Sequence, residues 1–588
     1  MKTFLKMLLA TILGVGILFF LLFVIIASIA SMGEEKVLVE ENSILKLNLN
    51  VSIHERSEDN PFESFNPISG KPQNSIGLND LKASLKHAKN DSKIKGIYLN
   101  AGIPMAGHAS LKEIRNALLD FKSSSKFIYS YSEILTQKGI YICSVADSVL
   151  VNPEGFMEWK GLNASVSYYQ NALAKLGLKP EVLRATGNKY KSAVEPYLRQ
   201  DMSPENRNQL SSLLHSIWYT YRKDVGESTG ISMEMLDSLA NNFAITNPKA
   251  ALDSKLIDGI AYYDEVTDIL CKKLGLEDSK DLNFIGLGKY KKSFKKNEGS
   301  SYGSDRIAVI IAQGDIVSGD GGEYSIGSER ISRAIRKARK DDKVKAVVLR
   351  VNSPGGSALA SEIIWREVKL TQEQKPVVAS MGDLAASGGY YISCFADTIV
   401  AQANTITGSI GAFGLFMTGE ELMHDKLGIN IENVSTNKYA DLGTFDRALT
   451  DSERAILIGS VDQIYGTFKS RVSEGRGLSV DSVESIGQGR VWTGEEALKI
   501  GLVDVIGGLD DAIEIAKNMA DLGDEYRIVE YPEMEDPIQK LIKELTNGYE
   551  TKIIEERLGE YARYLQLLEK AKGMQGYQTR MDYELIID

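Results

Sequence analysis

The sequence predicts an α/β protein built from two tandem copies of one domain, behind a single N-terminal transmembrane helix. Three observations carry that reading. Residues 345–397 align without a gap on residues 95–147, at an offset of 250. The offset is 249 where Asn437-Lys438-Tyr439-Ala440 meets Asn188-Lys189-Tyr190-Lys191, and 246 where Leu502-Val503-Asp504 meets Leu256-Ile257-Asp258. A near-constant offset over such a span marks an internal duplication. Within the second copy, short apolar segments alternate with helical ones, the pattern of strand–helix units around a parallel sheet. Finally, residues 7–33 carry no charge over 27 positions.

As a helix, those 27 residues would be about 40 Å long against about 30 Å of hydrocarbon. The run is too long for a signal-peptide core of about 7–15 residues. Lys2 and Lys6 precede it and Glu34 and Glu35 follow, so the N-terminus is expected on the cytoplasmic side and the rest of the chain outside. Alternation of apolar and polar residues over 36–50 predicts a strand. Residues 54–78 are rich in Pro, Asn, Ser and Gly and read as a loop. The first copy is assigned to residues 34–290. A basic and then small, polar stretch at 291–304 reads as the linker, and the second copy occupies 305–525, opening on a strand at 307–311. Further strands are expected at 346–349, 376–379 and 398–400, and helices at 359–370 and 385–395. From 526 to 588 the chain is charged, with a helical apolar phase at Leu541, Ile542 and Leu545 and again from Ile553 to Leu568. It reads as a helical C-terminal extension.

Hydrophobic content of 43% and charged content of 25% are those of an ordinary globular protein. A net charge of −11 with no basic stripe excludes a nucleic-acid binder. Three cysteines (Cys143, Cys271, Cys394) cannot form a disulfide framework. Cys143 and Cys394 fall in equivalent apolar helices and read as core residues. The five histidines have no metal-ligand spacing, and neither a metal nor another cofactor is expected.

The differences between the copies carry the chemistry. Ser387 of the second copy faces Gln137 of the first, Gly355 and Gly356 face Met105 and Ala106, and Lys191 of the first faces Ala440 of the second. Each copy has kept half of one site. Asn352-Ser353-Pro354-Gly355-Gly356-Ser357 follows a buried strand and leads into a helix, and its glycines can turn backbone N–H groups toward a developing oxyanion. Ser387 lies 31 residues after Gly356 at a helix start, among small neighbours that leave Oγ accessible. A serine there could equally be a helix N-cap. No histidine lies in or near either motif, so a triad has no obvious members. A buried lysine can serve as the base instead. Lys191 is the candidate, since its neighbour Lys189 has a counterpart in Lys438 whereas Lys191 has none. Ser409, in Thr407-Gly408-Ser409-Ile410-Gly411, could orient the amine or simply cap a turn.

With these motifs in hand, the sequence resembles the signal peptide peptidase A family, in the long duplicated form of Gram-negative bacteria. The matching stretches are YKSAVEPY (190–197) with DMSPENR (201–207), VNSPGGSALASE (351–362), MGDLAASGGYYIS (381–393) and TGSIGAFG (407–414). The resemblance implies two Clp protease/crotonase-like domains. It implies a serine endopeptidase with Ser387 as nucleophile and Lys191 as base, oxyanion support at Gly355 and Gly356, and no cofactor. It further implies a membrane-facing homotetramer in the inner membrane, with its catalytic domains on the periplasmic side, degrading signal peptides left in the membrane. A protease for one envelope protein, a crotonase-type acyl-CoA enzyme and a non-catalytic scaffold are the alternatives. CoA would need basic residues and a compartment that holds it, and a scaffold would have no reason to keep the serine once and the lysine once.

Overall fold

The computed structural model describes residues 37–57, 75–294, 305–533, 576–581 and 586–587, with isolated helical positions between 4 and 20. The expected membrane helix at 7–33 lies largely outside them. Among the described residues no helix is long and apolar enough to cross a membrane.

Each half is organised around its own sheet. In the first, six parallel strands run in the spatial order Phe284–Gly286, Ser43–Asn48, Ile94–Asn100, Phe127–Leu135, Ser148–Met157, Gly259–Ile260. In the second, the central order is Arg527–Tyr531, Arg306–Gln313, Val344–Ser353, Val377–Ala386, and the last of these pairs with both Thr398–Ala401 and Ile406–Gly408. The strands are apolar on both faces because helices cover both. Alternate side chains point to opposite sides. Thus Ala308, Ile310 and Ala312 join the large core, while Ile307, Val309 and Ile311 meet Leu509, Ala512, Ile513 and Ala516 of helix Leu509–Met519. The first half repeats this, with Ile44, Tyr98 and Leu150 against Val266 and Leu270 of helix Tyr263–Leu274.

A third sheet joins the halves. Its order is Ser325–Gly327, Asp315–Val317, Gly355–Ser357, Gly576–Arg580, Phe413–Thr418, Lys179–Arg184. Lys179–Arg184 comes from the first half and pairs antiparallel along the whole of Phe413–Thr418 from the second. Between the halves lies a buried charge network. The Arg350 guanidinium bonds Glu55 at 2.9 Å and Glu113 at 2.7 Å, and Lys82 bonds the other oxygen of Glu113.

Four expectations change. The strand expected at 36–50 is confined to Ser43–Asn48, where the buried pairing is. The stretch read as linker from residue 291 begins inside helix Leu287–Phe294, because Tyr290 and Phe294 are core residues of the first half. The helix expected from Ala385 starts only at Gly388: Ala385 and Ala386 still pair, with Thr407 and Gly408, as the end of strand Val377–Ala386. Where the C-terminal extension is described it is strand rather than helix, at Arg527–Tyr531, Gly576–Arg580 and Ile586–Ile587. Its expected helical phase from Leu541 to Leu568 lies outside the described residues.

Candidate active site

Strand Val377–Ala386 delivers the chain to Ser387, and helix Gly388–Ser393 carries it away. The turn between them is sharp, with Ser387 at φ 52° and ψ −113°. Such a conformation is costly for a residue with a Cβ. The side chain does not cap the helix, which disposes of the N-cap reading. The turn is locked from both sides: Ser387 N–H donates to the Gly408 carbonyl at 2.8 Å, and Tyr391 N–H donates back to the Ser387 carbonyl.

Lys191 arrives from the other half. Pairing of Lys179–Arg184 with Phe413–Thr418 brings the first copy up to the site, and the turn after it is held to the second copy. Asn188 Nδ2 donates to the Ala412 carbonyl at 2.9 Å, and Tyr190 N–H to the Gln488 carbonyl at 2.9 Å. The Lys191 amine lies 2.9 Å from Ser387 Oγ, 2.8 Å from Ser409 Oγ and 3.1 Å from the Ser409 carbonyl oxygen. All three oxygens are uncharged, and Lys191, Ser387 and Ser409 are each 0% exposed. Ser409 also sits at positive φ, 49°, with its N–H on the Arg490 carbonyl. The structure therefore brings Ser387, Lys191 and Ser409 together. Lys189 is exposed, as is Ala440, the second copy's counterpart of Lys191. Gln137, the counterpart of Ser387, is absorbed in holding the loop at Lys160 and Gly161.

Gly355 and Gly356 sit at positive φ, 99° and 155°, a range that L side chains rarely adopt. Gly355 N–H is already taken by Ser353 Oγ at 3.1 Å. Its Cα lies close to the start of the serine helix: a Cβ on Gly355 would fall 2.6 Å from the Gly388 nitrogen. Gly388, immediately after the serine, thus places a backbone N–H beside this turn that the sequence reading passed over, although the doubled glycine after Ser387 was a signal for it. A further one missed is Gly489. At φ 83°, a Cβ there would lie 2.6 Å from the Lys191 nitrogen, so only glycine lets this loop close over the lysine backbone.

The other reactive residue types are quiet. Cys143, Cys271 and Cys394 are buried and unpaired with one another, and burial pushes the Cys394 thiol up to about 12. Among the described residues no group of His, Cys, Asp and Glu could hold a metal. A serine hydroxyl beside a buried amine, with backbone N–H groups nearby, is an arrangement for proton transfer and acyl chemistry.

Comparison with known proteins agrees with that chemistry. The family model described as Peptidase family S49 matches twice, at residues 120–277 and 369–523. The chain is 37% identical over 452 residues to the chloroplastic serine protease SPPA of Arabidopsis thaliana, covering 76% of this chain and 66% of that protein. It is 36% identical over 455 residues to Protease 4 of Salmonella typhi, covering 76% and 72%. To Protease 4 of Haemophilus influenzae it is 34% identical over 518 residues, covering 85% and 83%. With both repeats matched and relatives at this identity along most of its length, the chain belongs to peptidase family S49 and is a serine protease.

Proposed function

We propose that this chain is a membrane-anchored endopeptidase that uses Ser387 as nucleophile and Lys191 as general base to cut apolar peptides, above all signal peptides left in the bilayer. The observation that carries the reading is the 2.9 Å approach of the Lys191 amine to Ser387 Oγ, with both groups fully buried. Burial disfavours the ammonium and so favours the neutral amine that a base must be. The Ser387 proton passes to that amine as Oγ attacks the scissile carbonyl carbon. The backbone N–H of Gly388, beside the Gly355–Gly356 turn, receives the oxyanion. The ammonium then gives its proton to the leaving amine, releasing the C-terminal fragment. A water deprotonated by Lys191 attacks the acyl-enzyme, and the proton returns to Ser387. Ser409 orients the amine throughout.

Residues 7–33 supply the anchor in this reading, with the two repeats on the periplasmic side of the inner membrane and the chain assembled as a homotetramer. The apolar anchor and an apolar substrate would then share one bilayer. The test is cleavage of an apolar fluorogenic peptide by the detergent-solubilised full chain. Ser387→Ala and Lys191→Ala are each expected to lose about 10³-fold or more in kcat, while exposed Lys189→Ala cleaves as the parent does. A folded Lys191→Ala variant that retains parental activity would remove the lysine from the mechanism.

A further inference from the structure

Helix His108–Lys122 of the first repeat begins without a cap of its own. Its N-cap position is Gly107, which has no side chain to accept a hydrogen bond. The equivalent helix of the second repeat, Ala358–Gln372, begins at Ser357, whose Oγ accepts from the Ala360 N–H. At the offset of 250, Gly107 and Ser110 are the counterparts of Ser357 and Ala360. In the first repeat the orphaned N–H finds its acceptor across the interface between the halves. Ser110 N–H donates to Asp383 Oδ1 at 2.8 Å, and Ser110 Oγ donates to Asp383 Oδ2 at 2.5 Å. A carboxylate is the charge that a helix N-terminus favours. Gly107 leaves room for it: a Cβ there would fall 2.2–2.6 Å from the three atoms of the Asp383 carboxyl.

Asp383 lies four residues before Ser387, on the strand that delivers it. There the strand bulges. Val351 faces Met381 and Ser353 faces Ala385, so two steps on one strand match four on its neighbour. The ladder is interrupted over Gly382–Leu384, and side chains hold the segment instead. Leu384 N–H donates to Asn352 Oδ1 at 3.2 Å, and Thr405 Oγ1 donates to the Gly382 carbonyl at 2.7 Å. Asn352 is itself held from the first repeat, through Nδ2 to Glu55 Oε1 at 3.1 Å. Further along helix His108–Lys122, Glu113 bonds Arg350, which in turn donates to Ser380 Oγ and to the Met381 carbonyl. The first copy's counterpart of Asp383 is Glu133, which is exposed and lies on a strand that leads to Gln137 instead of a serine.

We propose that Asp383 is a positioning residue: by capping the first repeat's helix it fixes the bulge, and with it the place of Ser387 against Lys191. The proposal rests on the reading of Ser387 as the nucleophile. After the bulge the chain runs directly to the site, with Ala385 and Ala386 paired to Thr407 and Gly408 and the Ser387 N–H on the Gly408 carbonyl. So short a path leaves little slack between the clamp and the hydroxyl, and a displacement of about 1 Å at a reacting atom can cost 10²-fold in rate. The repeat that lends the amine thus also sets the hydroxyl.

Variants of the full chain, compared by steady-state cleavage of an apolar fluorogenic peptide and by thermal melting, separate positioning from mere capping. Asp383→Ala is expected to lower kcat about tenfold or more with KM within about twofold. Its Tm should fall by about 1–3 °C for the lost cap. Asp383→Asn keeps an oxygen that accepts from the Ser110 N–H, and its kcat should stay within about threefold of the parent. Gly107→Ser combined with Asp383→Ala gives the helix its own cap, in the space the carboxyl vacates. This double variant is expected to regain the parental Tm but not the parental kcat. If it regains both, Asp383 is a cap only and the proposal is overturned, as it is by an Asp383→Ala chain with parental kcat. Should Asp383→Ala fail to fold, the double variant, with its helix capped, carries the same comparison. Ser387→Ala is run beside them. Cleavage retained there removes the nucleophile reading and the proposal with it, whereas a dead Ser387→Ala with a parental Asp383→Ala removes the clamp alone.

Discussion

At the scale of single residues, the site is paid for in backbone strain at Ser387. A φ of 52° with ψ −113° costs an L-residue about 1–3 kcal/mol, and glycine escapes most of it. Ser387→Gly is therefore expected to be more stable than Ser387→Ala by about 1 kcal/mol, although both lack the hydroxyl; thermal melts of the two variants measure it. Equal stability would mean that the turn is not strained. Both partners of the buried pair were legible in the sequence, because a duplication exposes what each copy has lost. Ser387 faces Gln137 and Lys191 faces Ala440, and the structure puts the two survivors in contact. What a sequence cannot show is backbone chemistry. Gly388 and Gly489 act through an N–H and through the absence of a Cβ, and their value depends on Gly355, 33 residues before the one, and Lys191, 298 residues before the other, which approach only in the fold.

At the scale of elements, the lysine is positioned by a loop that belongs to the other repeat. Residues 488–490 meet it through the Tyr190 N–H to Gln488 carbonyl bond, while Gly489 N–H reaches the Ile410 carbonyl and Ser409 N–H the Arg490 carbonyl. Gly489→Ala must either shift this loop or push Lys191 away, since its Cβ would sit 2.6 Å from the Lys191 nitrogen. A shift of about 1 Å can cost 10²-fold in rate. The variant is expected to stay folded and lose activity by a comparable factor, with a smaller change in KM, as steady-state kinetics will show. The strands at 346–349, 376–379 and 398–400 were readable because they are apolar on both faces and bounded by turns. The strand Gly576–Arg580 was not. Gly-Tyr-Gln-Thr-Arg has no apolar alternation, and it is a strand only because two edges on either side supply its hydrogen bonds.

At the scale of the whole molecule, the halves are held by charge as well as by the shared sheet. Burial opposes the ionisation of Glu113, but Arg350 and Lys82 outweigh it and hold the carboxyl down at about 2, from an ordinary 4.5. Between those values the unfolded chain takes up the proton and the folded chain does not. The stability contributed is complete above about pH 4.5 and is lost as the pH falls toward 2. Urea midpoints measured from pH 6 to 2 should show this acid loss, and Glu113→Gln should flatten it. The same variant leaves Arg350 and Lys82 short of a buried partner and is expected to cost about 3–5 kcal/mol at neutral pH. The duplication announced two similar sheets, but not that Lys179–Arg184 would cross into the second half's sheet, which is a matter of docking between copies. In the mechanism proposed above, that crossing makes peptidase activity wait until both repeats have been made and docked. A polypeptide still emerging from the ribosome carries its amine some 196 residues ahead of its hydroxyl, and a fragment of either half carries only one of them. Under that mechanism neither would cut its neighbours, and the order of synthesis itself would shield the cell from premature or broken copies.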